Sequence, residues 1–247
     1  MITVLLPAIA FVTSLISGIF GMAGGLVLMG ALAMMMPVEQ AFVTHGLIQI
    51  VANGWRAILN RGDIVWRIVG NYAVAALLAG VVFSFIAWVP PRPWLFMALG
   101  LVGQTVWLPA KRLALDARRP AHAFASGLLV TGTNLLAGVA GPLLDIFFVR
   151  TTLTRHQIVA TKAFTQVFSH AAKVLVYGVA LAGLAGEDAP PWLALGLALP
   201  MTILGTRAGK LVLDRMSDAG FIGWTRIIVS AIGAVYLVRG IVAFAGT

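Results

Sequence analysis

Cysteine is absent from this chain, which excludes disulfides, thiolate nucleophiles and cysteine-ligated metals. Charge is nearly as scarce. Asp, Glu, Lys and Arg make up 10% of the 247 residues, whereas a soluble domain carries about a quarter. Acid is the scarcer sign, 8 Asp and Glu against 17 Lys and Arg. What fills the chain instead is hydrocarbon: 60% of residues are hydrophobic and the mean hydropathy is +0.99. Apolar runs of about 18 to 26 residues follow one another with short polar gaps between them, the pattern of a polytopic helical membrane protein. The net charge of +9 sits mostly in those gaps. That is the positive-inside signature, and no basic face remains for nucleic acid. No basic stretch precedes the first apolar run, so it is expected to be retained.

One pattern occurs twice. The first copy runs Gly21-Met-Ala-Gly24-Gly25 and continues through Gln40, Thr44, His45, Gln49, Asn53 and Arg56. The second runs Gly138-Val-Ala-Gly141-Pro142 and continues through Gln157, Thr161, Lys162, Gln166, His170 and Lys173. The differences 138−21, 141−24, 157−40, 161−44, 166−49 and 173−56 are all 117. A gapless echo of this kind marks two copies of one unit. Residues 1–110 are expected to form a first membrane repeat and residues 121–247 a second. A basic cytoplasmic linker, residues 111–120, joins them.

The first apolar run, Leu5 to Met36, is too long for one span and is interrupted by glycine, which weakens a helix. It reads as two half-length helices meeting at a glycine tip. Ala121 to Arg150 repeats the break. Three spans follow each broken segment: Gln40–Leu59, Val69–Val89 and Trp94–Pro109, then Gln157–Ala182, Trp192–Gly209 and Ile222–Phe244. Basic gaps at Arg61/Arg67, Lys111–Arg119, Arg150/Arg155 and Lys210/Arg215 should be cytoplasmic, and the acidic gap at Glu187-Asp188 external. Equivalent helices then point in opposite directions. The expected fold is all-α: two inverted-topology repeats, each a broken glycine-tipped helical hairpin plus three transmembrane helices.

His45, Gln49 and Asn53 fall at i, i+4, i+8 on one helix face, as do Lys162, Gln166 and His170. Polar groups in hydrocarbon face a bundle interior. Helices starting at Gly24, Gly25 and Gly141 would point unpaired N–H groups and a partial positive charge at the same place, where an anion is stabilised. These nine residues are the candidate binding site. Arg56 and Lys173, two turns beyond the paired glutamines, are candidates for lining two opposite vestibules. Each feature has a plainer reading: glycines pack helices, a buried Gln or His joins helices, and Lys162 snorkels. Asp145 has no acidic counterpart, since Leu28 holds the equivalent position. The GxxxG of Gly205 to Gly209 is a helix-contact pattern.

The glycine tips, the Thr44–Arg56 helix, Gly138-Val-Ala-Gly141-Pro142-Leu-Leu and Val159-Ala-Thr-Lys162 together resemble the TauE/SafE family of sulfite-exporter-type anion permeases. The likeness covers nearly the whole chain; Gly141-Pro142 departs from the commoner double glycine. The resemblance implies a multi-pass protein of a prokaryotic cytoplasmic membrane that moves sulfite, a sulfonate or a related sulfur oxyanion. Its expected partners are a small inorganic or organosulfur anion and the lipid bilayer, with a homodimer allowed and neither cofactor nor metal expected. Two other functions compete with a permease. An intramembrane enzyme would need a nucleophile and base in register, yet Ser169 and His170 point about 100° apart on a helix, and no zinc-type His-x-x-x-His pair occurs. A non-transporting assembly subunit would leave the duplicated mid-span polar residues unexplained.

Overall fold

The computed structural model describes residues 1–86, 88–109, 112–181, 191–215 and 218–245. Among them every regular element is helical. Before residue 111 come α1 (Ile2–Phe20), α2 (Ala23–Met35), α3 (Val38–Leu59), α4 (Trp66–Ile86) and α5 (Arg92–Gln104). After it come α6 (Pro120–Ala137), α7 (Gly141–Ile146), α8 (Arg155–Leu181), α9 (Trp192–Leu213) and α10 (Asp218–Ala245).

Both first segments break where the sequence places glycine. Helix α1 stops at Gly21 with φ 70°, and α6 stops at Gly138 with φ 74°. These are the only glycines with positive φ among the described residues, and they are 117 apart. An L side chain is disfavoured in that region of φ, so glycine is what lets the chain turn there. The expectation of half-length helices is corrected, however. Helix α1 has 19 residues and α6 has 18, near the length of a full span. Only the second arms are short, 13 residues in α2 and 6 in α7. Gly18 does not shorten α1, because it is spent on packing: a methyl group there would lie 2.8 Å from the Gly209 backbone of α9. Helix α5 is also shorter than the span read over Trp94–Pro109. Its 13 residues end at Gln104, and a 3-10 turn, Thr105–Trp107, follows.

Helix α8 starts with a reciprocal cap. The Gln157 N–H donates to the Thr154 hydroxyl at 3.2 Å, and the Thr154 N–H donates to the Gln157 side-chain carbonyl at 3.1 Å. The linker between the halves is tied to the end of the α7 turn. Ala117 N–H donates to Phe147 O at 2.8 Å, and Arg118 reaches both Asp116 and the Thr152 hydroxyl. The Arg118 guanidinium holds the Asp116 carboxyl below the usual carboxylate range.

The helices pair in a pattern that exchanges the two halves. Helix α1 packs chiefly on α9, and α6 chiefly on α4; α3 packs on α8, and α5 on α10. Helices α3 and α8 run antiparallel, since Gly46 lies against Val174 while Val65, just past α3, bonds to Thr161. Helices α5 and α10 do the same: Gly103 lies against Gly233, and Gly240 against Met97.

The burial is inverted relative to a soluble protein. Phe85, Val179, Leu193 and Leu77 are among many large apolar side chains left exposed, while Thr44, His45, Asn53, Asn134, His170 and Lys173 are buried. An apolar exterior around a polar interior suits a lipid surround. Three described helices are long and apolar enough to cross a membrane: Ile2–Phe20, Trp66–Ile86 and Gly223–Ala245. The paired long helices α3 and α8 carry the amides, histidines and cations instead. This is a multi-pass membrane protein.

Candidate functional site

Gln49 is the twelfth residue of α3, counting from Val38, and Gln166 is the twelfth of α8, counting from Arg155. Between these helices and the two breaks lies a small cavity of about 20 Å³, room for the centre of about one water molecule rather than a wide channel. Its wall includes Gly25, His45, Gln49, Asn53, Gly141, Gln166 and His170. Seven of the nine binding residues expected from sequence are thus brought together.

The other two lie elsewhere. A methyl group on Gly24 would collide with the Thr13 carbonyl and the Ser17 backbone, so this glycine closes α2 onto α1 instead of facing the cavity. Lys162 is drawn off by Asp145 on α7, with which it forms an ion pair.

Cavity residues absent from the sequence expectation include Ser17, Asn134 and Ser169. The signal for two of them was present, since 134−17 is again 117. Ser17 and Asn134 sit one turn before the two breaks, on the buried faces of α1 and α6. Ser169 is fixed between Tyr72 Oη at 2.6 Å and Thr131 Oγ1 at 2.7 Å, not against His170.

Hydrogen bonds assign the direction of the amides. Asn53 Nδ2 donates to Gln49 Oε1 at 3.1 Å, which leaves the Gln49 Nε2 donors turned toward Gly25. The Gln166 side chain has no hydrogen-bond partner among the described residues and lines the cavity. His45 spans the wall. Its Nδ1 accepts from Lys173 Nζ at 2.8 Å, so its Nε2 carries the proton that goes to Gly25 O at 3.0 Å. The His45 and His170 rings lie 5.4 Å apart.

Arg56 and Lys173 differ from the open-vestibule placement read in the sequence. Each turns back on the break of its own half. Arg56, half-buried, donates to Ser17 O and Oγ, both at 3.0 Å, and the Ser17 hydroxyl in turn donates to Gly21 O. Lys173 is fully buried and donates to Gly138 O at 2.7 Å and to Asn134 Oδ1 at 3.5 Å. A helix C-terminus leaves carbonyls unpaired and carries partial negative charge, and here a basic side chain donates to each one. Among the described residues, neither basic side chain has a carboxylate partner.

The model of one protein family, sulfite exporter TauE/SafE, matches residues 6–237. The chain belongs to the TauE/SafE family. TauE/SafE membership and the apolar exterior together describe a membrane transport protein for an anion. No curated protein and no solved structure matches the chain.

Proposed function

We propose that this TauE/SafE protein is a permease for a sulfur oxyanion, sulfite or a sulfonate, in a prokaryotic cytoplasmic membrane. The anion is bound midway through the protein, in the cavity between the two breaks. The observation that carries this reading is the unbalanced polarity of the wall. Gln49 and Gln166 present amide donors that no protein acceptor uses, and Arg56 and Lys173 lie behind them without carboxylates. A buried donor left unmatched is costly, and a bound oxyanion would satisfy all of it at once. The small volume fits a compact ion that sheds its water, with wider passage requiring the hairpins to shift.

The alternating-access reading rests on inversion of the two halves. It is supported by the matching positive-φ breaks, by the exchange pairing of helices, and by the antiparallel course of α3 and α8. The test is flux. Purified protein in proteoliposomes should catalyse saturable sulfite or sulfonate movement above protein-free vesicles. Vesicles that move none of these anions under a gradient in either direction would overturn the assignment.

A further inference from the structure

We propose that the anion is bound together with a proton, taken up by the cluster of His45, Lys173 and His170. The inference rests on the permease reading above and adds the coupling ion to it. Its basis is geometric. Lys173 Nζ is wholly enclosed, and its neighbours are the neutral acceptors His45 Nδ1, Gly138 O and Asn134 Oδ1. The face of the Phe42 ring lies 5.6 Å away. An ammonium in such a place is costly without a counter-charge. An anion in the cavity, on the far side of the His45 ring, supplies that counter-charge. Occupancy by anion and occupancy by proton therefore favour each other, and by linkage the effect is reciprocal.

The surroundings leave few other groups to take the proton. Helix α3 contributes His45 and, farther along in each direction, Glu39 and Arg56. Helix α8 itself contributes His170 and Tyr177. Helix α4 contributes Tyr72, held to Ser169, and α7 contributes Asp145, held to Lys162. Helix α6 faces Lys173 with Asn134, while its one titratable residue, His122, lies near the opposite end. The duplication makes the point sharper. The counterpart of His45 is Lys162 and that of Lys173 is Arg56, so the equivalent contact in the other half would set cation against cation. Asp145 holds Lys162 instead. Only one half keeps an imidazole against the buried amine, so there is a single such cluster, and one proton per anion is the count expected of it.

The step makes and breaks no covalent bond beyond protonation. A proton from solution adds to the Lys173 amine or to an imidazole nitrogen of the cluster. His45 bridges the amine and the cavity wall, with Nδ1 on Lys173 Nζ and Nε2 on Gly25 O. The anion then crosses with one unit of negative charge cancelled.

The test uses sulfate and methanesulfonate, whose charge stays fixed near neutral pH; sulfite itself titrates there and would confuse the count. Calorimetric titration of the purified full-length protein, repeated in buffers of different ionisation enthalpy, gives protons bound per anion. About one proton is expected for the wild type at neutral pH, and close to none for Lys173→Met. His45→Gln, which removes the relay but keeps a side chain of similar length, should lower the count as well. Saturable binding in the wild type with no dependence on buffer overturns the coupling and leaves the permease standing. An undiminished count in folded Lys173→Met overturns the assignment to this cluster. No binding of either anion, together with no sulfite flux, removes both the coupling and the permease.

Discussion

At the scale of the residue, the two central glutamines are equivalent by sequence yet differently held. Gln49 is gripped by Asn53, whereas Gln166 has no hydrogen-bond partner among the described residues. A hydrogen bond to a charged group contributes roughly 1.5–3 kcal/mol, so Gln166→Ala and Gln49→Ala should each weaken anion binding about ten- to a hundredfold. Their effects on the fold should part company. Gln166→Ala breaks no protein hydrogen bond and should melt close to the wild type, while Gln49→Ala removes the bond from Asn53 Nδ2 and should melt lower. Paired binding isotherms and thermal melts check this. Unchanged binding in Gln166→Ala would return that residue to ordinary helix packing. The sequence placed Gln49, Gln166, His45, Asn53 and His170 at the cavity because helical periodicity alone puts such polar residues on one face. It misplaced Lys162 and Gly24 for a different reason. An ion pair with Asp145 and contact with the α1 backbone are tertiary facts, and no spacing along one helix contains them.

At the scale of the element, the breaks are the informative feature. Their position was legible, since glycine clusters interrupt two otherwise continuous apolar runs at the same offset. The lengths of the arms were not. Helix α1 continues past Gly18 because α9 packs close against it there, and that contact lies 191 residues away in sequence, as 209−18 is 191. The positive-φ breaks themselves can be tested by adding one methyl group. Gly21→Ala and Gly138→Ala force an L residue into positive φ, at a cost of about 1–2 kcal/mol each. Gly138→Ala also sets its methyl 2.7 Å from Met29 Sδ. Gly54→Ala is the control, as it lies inside α3 with open space around it and should gain up to about 1 kcal/mol of helix propensity. Thermal unfolding in detergent should therefore separate the two break variants, which melt lower, from the control, which does not. A break variant as stable as the wild type would mean that the turn is not fixed by glycine.

At the scale of the whole molecule, cross-contacts sort the helix ends into two groups. Val65 meets Thr161, and Arg118 meets Thr152, so these ends share one side with the Arg61–Asp63 turn and the linker. Arg92 donates to Met36 O, Tyr177 Oη to Trp88 O, and Arg239 lies on Met34, so these ends share the other. Arg61, Arg67, Arg112, Arg118 and Arg119 all belong to the first group, whereas Arg92 and Arg239 belong to the second. By the positive-inside rule, the excess of basic residues predicts that the first group faces the cytoplasm. Gly18 against Gly209 and Arg207 over Trp55 carry the end of α9 to the same side. The acidic Glu187-Asp188 gap, expected outside from sequence, lies beyond the described residues. A chain without cysteine allows a direct test with single introduced thiols and a membrane-impermeant maleimide. Gly62→Cys and Asp214→Cys should label in inverted vesicles and not in intact cells, and Pro91→Cys should do the reverse. If all three reverse together, the arrangement stands and the charge rule has been applied the wrong way round. Labelling of Gly62→Cys and Pro91→Cys from the same side is the decisive outcome. Helix α4 would then fail to cross the membrane, and the opposed course of the two repeats would fail with it.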